Sequence, residues 1–439
     1  MRLSLKQILS KFAEPITAAG FTLLALAMRL WHLGQPKGFI FDEVYYAKNA
    51  HSYALHGVEL NDKGQADFIV HPPVGKWLIA LGIKIFGFNE FGWRVSSAVI
   101  GSLSVLLIYL VAKKLFNNPL ISSSAAILTL TDGLHLVHSR TALLDIFLMF
   151  FILLGFYFLL NSRHWLAGVS LGLAAGVKWS GLYFFVAYFF FMLYSDYRQA
   201  RAMEEPSALK FTLKNNFITR AFQYGIVPVV TYIASWFGWF ITSTGWDRNW
   251  SHNILRNFWH YHAEILNFHK NLVDKHSYSA NPWSWLVMGR PTSFFYATPK
   301  TCGAKSCSQE ILGLGTPFLW WSATAAIAIT FGYWLARREW QSGLLLLSFV
   351  AGYIPWFTFQ KRTMFSFYAI AFEPFLILMI CYVIAKFLED EGKRRVRERY
   401  VYGYLAIIVL CFIYFSPLYF GGVISYSSWY NHMWLPSWI

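Results

Sequence analysis

The sequence predicts an all-α protein that crosses a membrane many times. Of its 439 residues, 56% are hydrophobic and 20% aromatic, whereas only 13% are charged, about half the usual share in a soluble domain. The apolar residues form blocks of about 17 to 22, the length of helix that crosses a hydrocarbon core about 30 Å thick. Lipid offers no partner for an unpaired backbone group, so each block is predicted to be a helix.

About eleven transmembrane helices are predicted, in a single membrane domain over residues 1–439. The first block is interpreted as an anchor and not a signal peptide, because it has no small-residue cleavage site and carries Arg29. No internal repeat is visible. The predicted spans cover residues 15–33, 93–112, 119–133, 142–160, 164–179, 181–195, 221–243, 315–336, 342–358, 366–388 and 400–421.

The distribution of Lys and Arg predicts the orientation of these spans. With a cytoplasmic N-terminus, the compact basic clusters all fall inside, and the long loops 34–92 and 244–314 lie outside. The net charge of +15 is therefore a topology signal and an attraction for anionic lipid headgroups. The sequence contains no motif for binding RNA or DNA. The basic clusters are Lys113-Lys114, Arg198 to Arg220, Arg337-Arg338 and Lys393 to Arg399.

Both outside loops carry features of their own. In the first loop, residues 43–56 and 74–88 place apolar side chains at helical spacing, which predicts amphipathic helices lying along the interface. The second loop is rich in tryptophan, which is typical of an aromatic belt at a membrane surface. Sugar rings also stack on such side chains, so a sugar-binding platform is the alternative. The tryptophans are Trp246, Trp250, Trp259, Trp283 and Trp285.

The four cysteines divide into two pairs. Cys381 and Cys411 lie inside predicted spans and are interpreted as packing residues. Cys302 and Cys307 flank a Gly-containing turn in an outside loop, where a disulfide persists, and they are predicted to be paired. Two independent free thiols are the alternative.

Two adjacent carboxylates, Asp42 and Glu43, follow the first span closely. A carboxylate near the end of a spanning helix sits where the dielectric constant falls, so its pKa rises towards that of a useful general base. The alternative is an ordinary pair of acidic residues in a solvated loop. Only the rest of the chain decides between these interpretations.

Charged residues near the spans predict a site for an anion. Under the predicted topology Arg29, Arg94 and Lys178 lie near one outer boundary, and such cations suit a phosphate carried at the interface. A charge near the centre of a span costs about 2.5 to 3.5 kcal/mol. Arg140 and Asp145 are therefore interpreted as an ion pair that permits mutual burial, with a functional role as the alternative.

Six short strings, taken together and in this order, resemble the bacterial form of the protein O-mannosyltransferase family. The resemblance spans most of the chain and implies a GT-C glycosyltransferase fold. It implies transfer of mannose from polyprenyl-phosphate mannose to Ser or Thr of proteins crossing the membrane, with inversion of the anomeric centre. The strings are Phe41-Asp42-Glu43-Val44-Tyr45-Tyr46, His71-Pro72-Pro73-Val74-Gly75-Lys76, Trp93-Arg94, Ser139-Arg140-Thr141-Ala142-Leu143-Leu144-Asp145, Gly176-Val177-Lys178-Trp179-Ser180-Gly181 and Arg362-Thr363-Met364-Phe365.

The resemblance also implies roles for individual residues. Asp42 matches the family's catalytic base, and Glu43 matches its essential neighbour. Arg94 matches an essential arginine, and Lys178 lies in a Lys-Trp motif near the donor phosphate. Asp145 is expected to be structural. The predicted set that binds the donor phosphate and substrate is Arg29, His71, Arg94, Arg140, Lys178, Trp179 and Arg362.

Partners and location follow from the same resemblance. The expected partners are the donor lipid, membrane lipid and Ser/Thr-containing acceptor proteins, with possible delivery by the secretion translocon; nucleic acid is not expected. The expected location is the plasma membrane, with the active site on its extracytoplasmic side. No soluble domain of about 200 residues interrupts the second loop, as one does in eukaryotic relatives, so acceptor recognition by such a domain is not expected.

No cofactor or metal is expected. A lipid phosphate is a good leaving group without a metal, and the histidines of the second loop fit no recognised spacing of ligands. Two other functions stay open. One is a GT-C transferase acting on a glycolipid or envelope polysaccharide, because fold does not fix the substrate. The other is a transporter, although paired inverted repeats are not visible. The histidines are His252, His260, His262, His269 and His276.

Overall fold

The computed structural model describes residues 5–68 and 70–439, with side chains from residue 13 onward, and most of this part is helical. In the first half the helices are α1 (Leu5–Leu30), α2 (Glu43–His56), α3 (Val74–Phe86), α4 (Glu90–Phe116), α5 (Pro119–Leu130), α6 (Gly133–His138), α7 (Asp145–Leu160), α8 (His164–Val177), α9 (Gly181–Ala202), α10 (Ala208–Asn215) and α11 (Phe217–Ala221). The others are α12 (Val227–Ala234), α13 (Phe237–Ile241), α14 (Ile254–Asn271), α15 (Pro317–Arg337), α16 (Trp340–Tyr353), α17 (Glu373–Phe387), α18 (Arg394–Phe420) and α19 (Tyr426–Asn431).

Several of these helices are long and apolar enough to cross a membrane. Among the described residues, five segments have this length and composition, and α5, α7 and α8 are shorter apolar helices. The chain is therefore a multi-pass membrane protein, but these criteria do not reproduce the predicted count of eleven spans. The five segments are Ala13–Leu30, Glu90–Phe116, Pro317–Arg337, Trp340–Phe359 and Glu391–Phe420.

Three predicted spans are not continuous α-helices, and each is interrupted next to a proline. In the span expected at 342–358, α16 gives way to a 3-10 helix over Ile354–Phe359 that contains Pro355. In the span expected at 221–243, a π-helical turn over Phe222–Ile226 precedes Pro228, and the helix stops again between α12 and α13. In the span expected at 366–388, a 3-10 turn over Ser366–Ala371 precedes α17, which has a proline in its first turn. Proline lacks an N–H and disturbs the helix before it, so all three predictions were wrong in this respect.

The core of the bundle is centred on α7. This helix is apolar on every face, as expected for a helix enclosed by others, and it packs between α4 and α8. Its buried side chains include Phe147, Ile152 and Phe156. The first turn of α7 and the end of α8 therefore come together at one end of the bundle.

The first outside loop contains the two helices that its periodicity predicted. α2 coincides with the predicted segment 43–56, and α3 begins at the predicted residue 74. α2 ends at Gly57, whose φ of 74° lies in the left-handed region that favours glycine. The two helices pack against each other, and α3 also packs on α4, so the loop is folded onto the bundle.

The second outside loop departs from the all-α prediction. It contributes β1 (Thr292–Ala297) and β2 (Cys307–Gly313) to a small antiparallel sheet, and β3 (Val423–Ser425), which follows α18, pairs with β2. Residues 292–297 are rich in β-branched and aromatic side chains that favour a strand. A disulfide joins Cys302 to Cys307 across the turn between β1 and β2, with a Cα–Cα distance of 5.9 Å.

The tryptophans of the second outside loop differ in exposure. Trp259 and Trp283 are 77% and 72% exposed, as an aromatic belt requires. Trp285 is fully buried and donates its indole N–H to the carbonyl of Ala280 at 3.0 Å. A role for Trp285 in stacking on a sugar is therefore excluded by its burial.

One arginine of α4 fastens the first outside loop to the bundle. The Arg94 guanidinium is fully buried and forms two bonds of 2.8 Å to the two carboxylate oxygens of Glu43. It also donates to the backbone carbonyls of Leu33, Pro36 and Gly38 at 3.0 to 3.2 Å. A guanidinium has five N–H groups, so all of its donors are engaged inside the protein.

The carboxylate of Glu43 is also fully engaged in hydrogen bonds inside the protein. Besides Arg94, its carboxylate accepts the backbone N–H of Ile40 at 3.1 Å and the indole N–H of Trp93 at 3.3 Å. It also accepts the backbone N–H of Ala142, which lies just before α7, at 3.0 Å. This carboxylate therefore ties the start of α2 to α4 and to the segment that leads into α7.

The Glu43–Arg94 pair is expected to be a large contributor to stability. Replacing one partner of a buried ion pair leaves the other charge unpaired, at a cost of about 3 to 5 kcal/mol. We expect Arg94→Met to lower the thermal unfolding midpoint of the detergent-solubilised protein, followed by tryptophan fluorescence. The double variant Glu43→Gln/Arg94→Met should recover more than half of the loss. Arg163→Met, at an exposed helix start, serves as the control. An unchanged midpoint in Arg94→Met would contradict the prediction.

Candidate active site

A pocket of about 130 Å³ lies at the end of the bundle where α7 begins and α8 ends. This volume is below the range of about 300 to 1,000 Å³ that is usual for sites that enclose a whole ligand. The turn from α8 to α9 forms one wall, α14 forms another, and the segment between α16 and α17 forms a third. The lining residues are His71, Asp145, Leu148, Lys178, Trp179, Ser180, Tyr183, Leu266, His269, Lys270, Trp356, Phe359, Arg362 and Tyr368.

Lys178 is held in the tight turn that joins α8 to α9. Its backbone is extended, with φ −147° and ψ 145°, and its carbonyl accepts the N–H of Gly181, where α9 starts. A Cβ at Gly181 would lie only 2.6 Å from the backbone nitrogen of Ala175, so this turn requires glycine. The ammonium of Lys178 donates to both carboxylate oxygens of Asp145 at 2.8 and 2.9 Å.

Asp42 is presented at the start of α2 with its carboxylate unused. It occupies the N-cap position, where an aspartate ordinarily accepts a backbone N–H of the first turn, but it forms no such bond. Among the described residues, no donor forms a hydrogen bond with this carboxylate. The preceding residue, Phe41, has a left-handed φ of 47° and stacks on Phe294 of β1 with ring centroids 4.9 Å apart. This uncommon backbone conformation sets the direction of the chain at Asp42.

The surroundings of Asp42 raise the pKa of its carboxyl group from 3.8 to about 6. Burial is the main cause, because it disfavours the charged form. The Lys178 ammonium opposes this effect, whereas the negative charge of Asp145 adds to it. Asp42 thus feels the charges of the Asp145–Lys178 pair at the edge of the pocket.

Arg362 is oriented by a histidine of α14. Its Nη2 donates to Nδ1 of His269 at 3.2 Å, and since a guanidinium only donates, this ring nitrogen is the acceptor. Nε2 of His269 therefore carries the proton, which it donates to the carbonyl of Val70 at 2.8 Å. Burial and the charge of Arg362 lower the pKa of His269 to about 4, so the ring is neutral at pH 7.

Arg362 keeps donors that nothing in the described part of the chain uses. Its Nε is buried without a hydrogen-bond partner, although its side chain lines the pocket. Lys178 has three N–H groups, and two of them go to Asp145. The pocket thus combines one arginine with spare donors, one lysine whose charge is already balanced, and a second lysine, Lys270, that has no carboxylate partner among the described residues.

Trp179 is fixed by a chain of hydrogen bonds. Its indole N–H donates to the hydroxyl of Tyr232 at 2.9 Å, and that hydroxyl lies 2.7 Å from Nε2 of His262. The other ring nitrogen of His262 lies 2.8 Å from the carbonyl of Phe258, to which it must donate. The Tyr232 hydroxyl therefore donates to His262, and the side chain of Trp179 is oriented at the wall of the pocket.

The structure gathers part of the predicted site around this pocket. His71, Asp145, Lys178, Trp179 and Arg362 line it. Burial and the charge of Lys178 keep the pKa of His71 well below its ordinary value, so this ring is also neutral at pH 7. In the described part of the chain, no three His, Cys, Asp or Glu side chains are grouped to hold a metal.

Three predicted phosphate-binding arginines lie elsewhere. Arg94 has no donor left for a ligand, because Glu43 and three carbonyls take all five. Arg29 is fully buried in the bundle, where it donates to Ala25 and lies 2.9 Å from Nδ1 of His135. The expectation that Arg94 and Arg29 face a phosphate beside Lys178 is thus not met by their positions.

The third is Arg140, which caps the end of α1. It donates to the carbonyls of Met28, Arg29 and Trp31 at 2.6 to 3.1 Å, and it leaves Asp145 to Lys178. The predicted ion pair between Arg140 and Asp145 was therefore wrong. Free carbonyls at a helix C-terminus carry partial negative charge, which explains the preference of this arginine for that place.

Sequence reasoning missed His269 and Tyr368 as members of the site. His269 lies seven residues after His262, which is two helical turns, so both histidines project from the same face of α14. Both rings lie within 6.2 Å of Trp179, measured between ring centroids. The seven-residue spacing of the two histidines indicates that they share a face of the helix. From the sequence, these histidines are considered only as metal ligands.

Family models cover most of the chain. Two of them, both described as dolichyl-phosphate-mannose-protein mannosyltransferase, match residues 19–90 and 70–211. A third, described as the C-terminal four-transmembrane region of protein-O-mannosyltransferase, matches residues 254–438. The matches include every residue of the pocket described above.

Relatives that are named for protein mannosylation match most of the chain. The polyprenol-phosphate-mannose–protein mannosyltransferase of Mycolicibacterium smegmatis is 32% identical, with 95% of this chain and 91% of the relative covered. The one from Corynebacterium glutamicum is also 32% identical, with coverage of 91% and 88%.

Solved structures of other proteins match the fold of this chain, which is the GT-C fold. The Saccharomyces cerevisiae Pmt1-Pmt2 complex bound to the sugar donor has a TM-score of 0.81 at 16% identity, with 100% of this chain and 93% of that chain covered. ArnT from Cupriavidus metallidurans bound to undecaprenyl phosphate has a TM-score of 0.53 at 13% identity, with coverage of 92% and 69%. With the relatives at 32% identity, these findings establish that the chain belongs to the protein O-mannosyltransferase family.

Proposed function

We propose that this protein transfers mannose from polyprenyl-phosphate mannose to Ser or Thr hydroxyls of proteins, with inversion of the anomeric centre. Membership of the family supports the reaction, since the relatives at 32% identity are named for this donor and for protein mannosylation. The single observation that carries the mechanism is the unused carboxylate of Asp42, which is not a lining residue but interacts electrostatically with Lys178 and Asp145, two residues that line the pocket.

Asp42 serves as the general base in this proposal. A Ser or Thr hydroxyl is a weak nucleophile, and a carboxylate within hydrogen-bond reach takes its proton while oxygen bonds to the anomeric carbon. A base is most useful when its pKa lies close to the working pH, and the Asp42 pKa of about 6 approaches that condition. The absence of a capping bond leaves the carboxylate available to the acceptor hydroxyl.

Arg362 and Lys178 receive the phosphate that departs. Negative charge grows on the lipid phosphate as its bond to mannose breaks, and cations placed there in advance lower the barrier. Arg362 supplies the unused donors, and Lys178 supplies its third N–H. His269 keeps Arg362 in position and stays neutral, so it does not compete for the anion. Trp179 offers an oriented aromatic face at the pocket wall for the sugar ring.

Glu43, Arg94, Arg29 and Arg140 act at a distance from the reacting atoms in this proposal. Glu43 and Arg94 hold the backbone on both sides of Asp42, because their bonds extend from Leu33 to α2. Arg140 joins the end of α1 to the segment before α7. We assign to these residues the positioning of Asp42, and for Glu43 and Arg94 this accounts for the essential character that the family resemblance implied.

The location and acceptor partners are part of the same proposal. We place the pocket on the extracytoplasmic side of the plasma membrane, because the basic clusters occur at loops of the opposite end. Acceptor proteins meet Asp42 as they cross the membrane, and delivery by the secretion translocon suits an acceptor that is still unfolded. The donor lipid, polyprenyl-phosphate mannose, reaches the pocket from within the bilayer.

Replacement of the base is the direct test. We expect Asp42→Asn to lower transfer of radiolabelled mannose from polyprenyl-phosphate mannose to a Ser/Thr-rich peptide by at least about 100-fold, the contribution usual for a general base. Donor binding should be unchanged. Asp62→Asn, an exposed carboxylate of the same loop, is the matched control. Retention of a tenth of the wild-type rate would assign the base to another group, and label found only in lipid would favour a glycolipid acceptor.

The pH dependence of the rate should identify the same group. Only the ionised carboxylate accepts a proton, so kcat/KM should rise with pH, with an apparent pKa of about 6, and level off above it. His71→Gln should keep this limb in place whatever its effect on the rate, since the pKa of His71 lies well below its ordinary value. Loss of the limb in His71→Gln would assign it to the histidine.

Arg362 should govern use of the donor. A hydrogen bond to a charged group contributes about 1.5 to 3 kcal/mol, so Arg362→Gln should lower kcat/KM for polyprenyl-phosphate mannose about 10-fold or more. Arg256→Gln, on α14 but outside the pocket lining, is the matched control. An unchanged kcat/KM in Arg362→Gln would remove this arginine from the phosphate site.

A further inference from the structure

A second cavity lies at the opposite end of the helices that frame the active-site pocket. α9 contributes Tyr183 to the active-site pocket and Arg198 to the second cavity, about 22 Å further along the helix axis. α16 runs the other way: Trp340 at its start lines the second cavity, whereas Trp356, just after its end, lines the active-site pocket. The second cavity therefore opens at the other face of the membrane.

The walls of this cavity are apolar and concave. The lining residues of α9 recur every three or four positions from Ala187 to Gln199, which is one stripe of the helix. α15 and α16 form the facing walls, and the absence of a side chain at Gly343 lets the indole of Trp334 lie against α16. The cavity measures about 1260 Å³, somewhat above the usual size of a small-molecule pocket.

The rim of the cavity carries two arginines without an acidic partner. Among the described residues, no carboxylate lies within 4.0 Å of Arg198 or Arg338. Arg198 donates to the hydroxyl of Tyr194 at 3.0 Å, and the guanidinium of Arg338 lies 4.5 Å from the ring centroid of Trp334. Both guanidiniums are exposed and keep donors for a ligand.

The acidic residue at the rim does not neutralise these arginines. The carboxylate of Glu339 accepts from Lys386 at 2.8 Å and from the hydroxyl of Tyr382 at 2.7 Å. It also lies 3.8 Å from Arg337, which does not line the cavity. The rim therefore presents net positive charge directly above an apolar wall.

We propose that this groove binds one anionic glycerophospholipid of the leaflet opposite the active-site pocket. Its acyl chains lie along the α9 stripe, and its phosphate receives hydrogen bonds from Arg198 and Arg338. Guanidinium groups are suited to bind phosphate through two bonds at once. A soluble anion would leave the apolar wall unused, and a neutral lipid would leave both arginines without an acceptor. This site is separate from the proposed transfer reaction and does not depend on it.

Native mass spectrometry of the detergent-purified protein tests the proposal. We expect one equivalent of phosphatidylglycerol to bind to the wild type, with at least tenfold weaker binding of phosphatidylcholine of the same acyl chains. The double variant Arg198→Gln/Arg338→Gln should bind phosphatidylglycerol about tenfold more weakly. Arg201→Gln/Arg337→Gln is the matched control, because it removes the same charge from the same two helices outside the cavity lining. This control should bind like the wild type.

A variant that fills part of the second cavity tests the contribution of its shape separately from that of its charge. Val350 is 43% exposed and lines the cavity, so Val350→Trp should fill part of it and weaken phosphatidylglycerol binding without a change in charge. Equal binding by the two arginine double variants would overturn the proposal. So would one-for-one displacement of phosphatidylglycerol by polyprenyl phosphate, since the groove would then hold the tail of the donor. Mannose transfer measured on the same samples reports on the reaction separately.

Discussion

The candidate active site depends on the buried ion pair between Glu43 and Arg94. Neither charge is available to a ligand, because the carboxylate and the guanidinium bind each other and the surrounding backbone. Such a pair is stable only when almost every donor and acceptor is matched, as it is here. The match requires the start of α2, the loop before it and the segment before α7 to take one arrangement. Asp42 directly precedes Glu43 in the chain, so the same interactions fix the position of its backbone.

Two further interactions hold two cations of the pocket. One of them neutralises its cation, and the other only orients it. Asp145 compensates Lys178, so a lysine is tolerated at the end of α8 before any anion arrives. Arg362 is held instead by the neutral ring of His269, which occupies one donor and takes away no charge. Of the cations that line the pocket, Lys178 is therefore already balanced, whereas Arg362 and Lys270 have no carboxylate partner among the described residues.

The sequence predicted those features that local rules determine. Lipid forces apolar blocks into helices, and periodicity placed α2 correctly because its repeat is local. The choice of partner for each charge was not predictable in the same way. Arg140 and Asp145 are five residues apart yet bind different groups, and Lys178 finds Asp145 only through the packing of α7 on α8. Pro228 and Pro374 were visible signals of helix interruption that hydropathy alone overlooks.

The small sheet has a consequence for the order in which the molecule is assembled. Phe41, next to Asp42, stacks on Phe294 of β1; β1 pairs with β2, and β2 pairs with β3, which is made only after α18. During synthesis the earlier helices enter the bilayer while this support is still incomplete. The support of Asp42 through Phe41 and the sheet is therefore complete only after residues 423–425 have been made. A nascent chain that ends after α14 already contains Asp42 and its neighbours in the motif. It does not yet contain β1, which contacts this segment through Phe41, or the strands β2 and β3 of the same sheet.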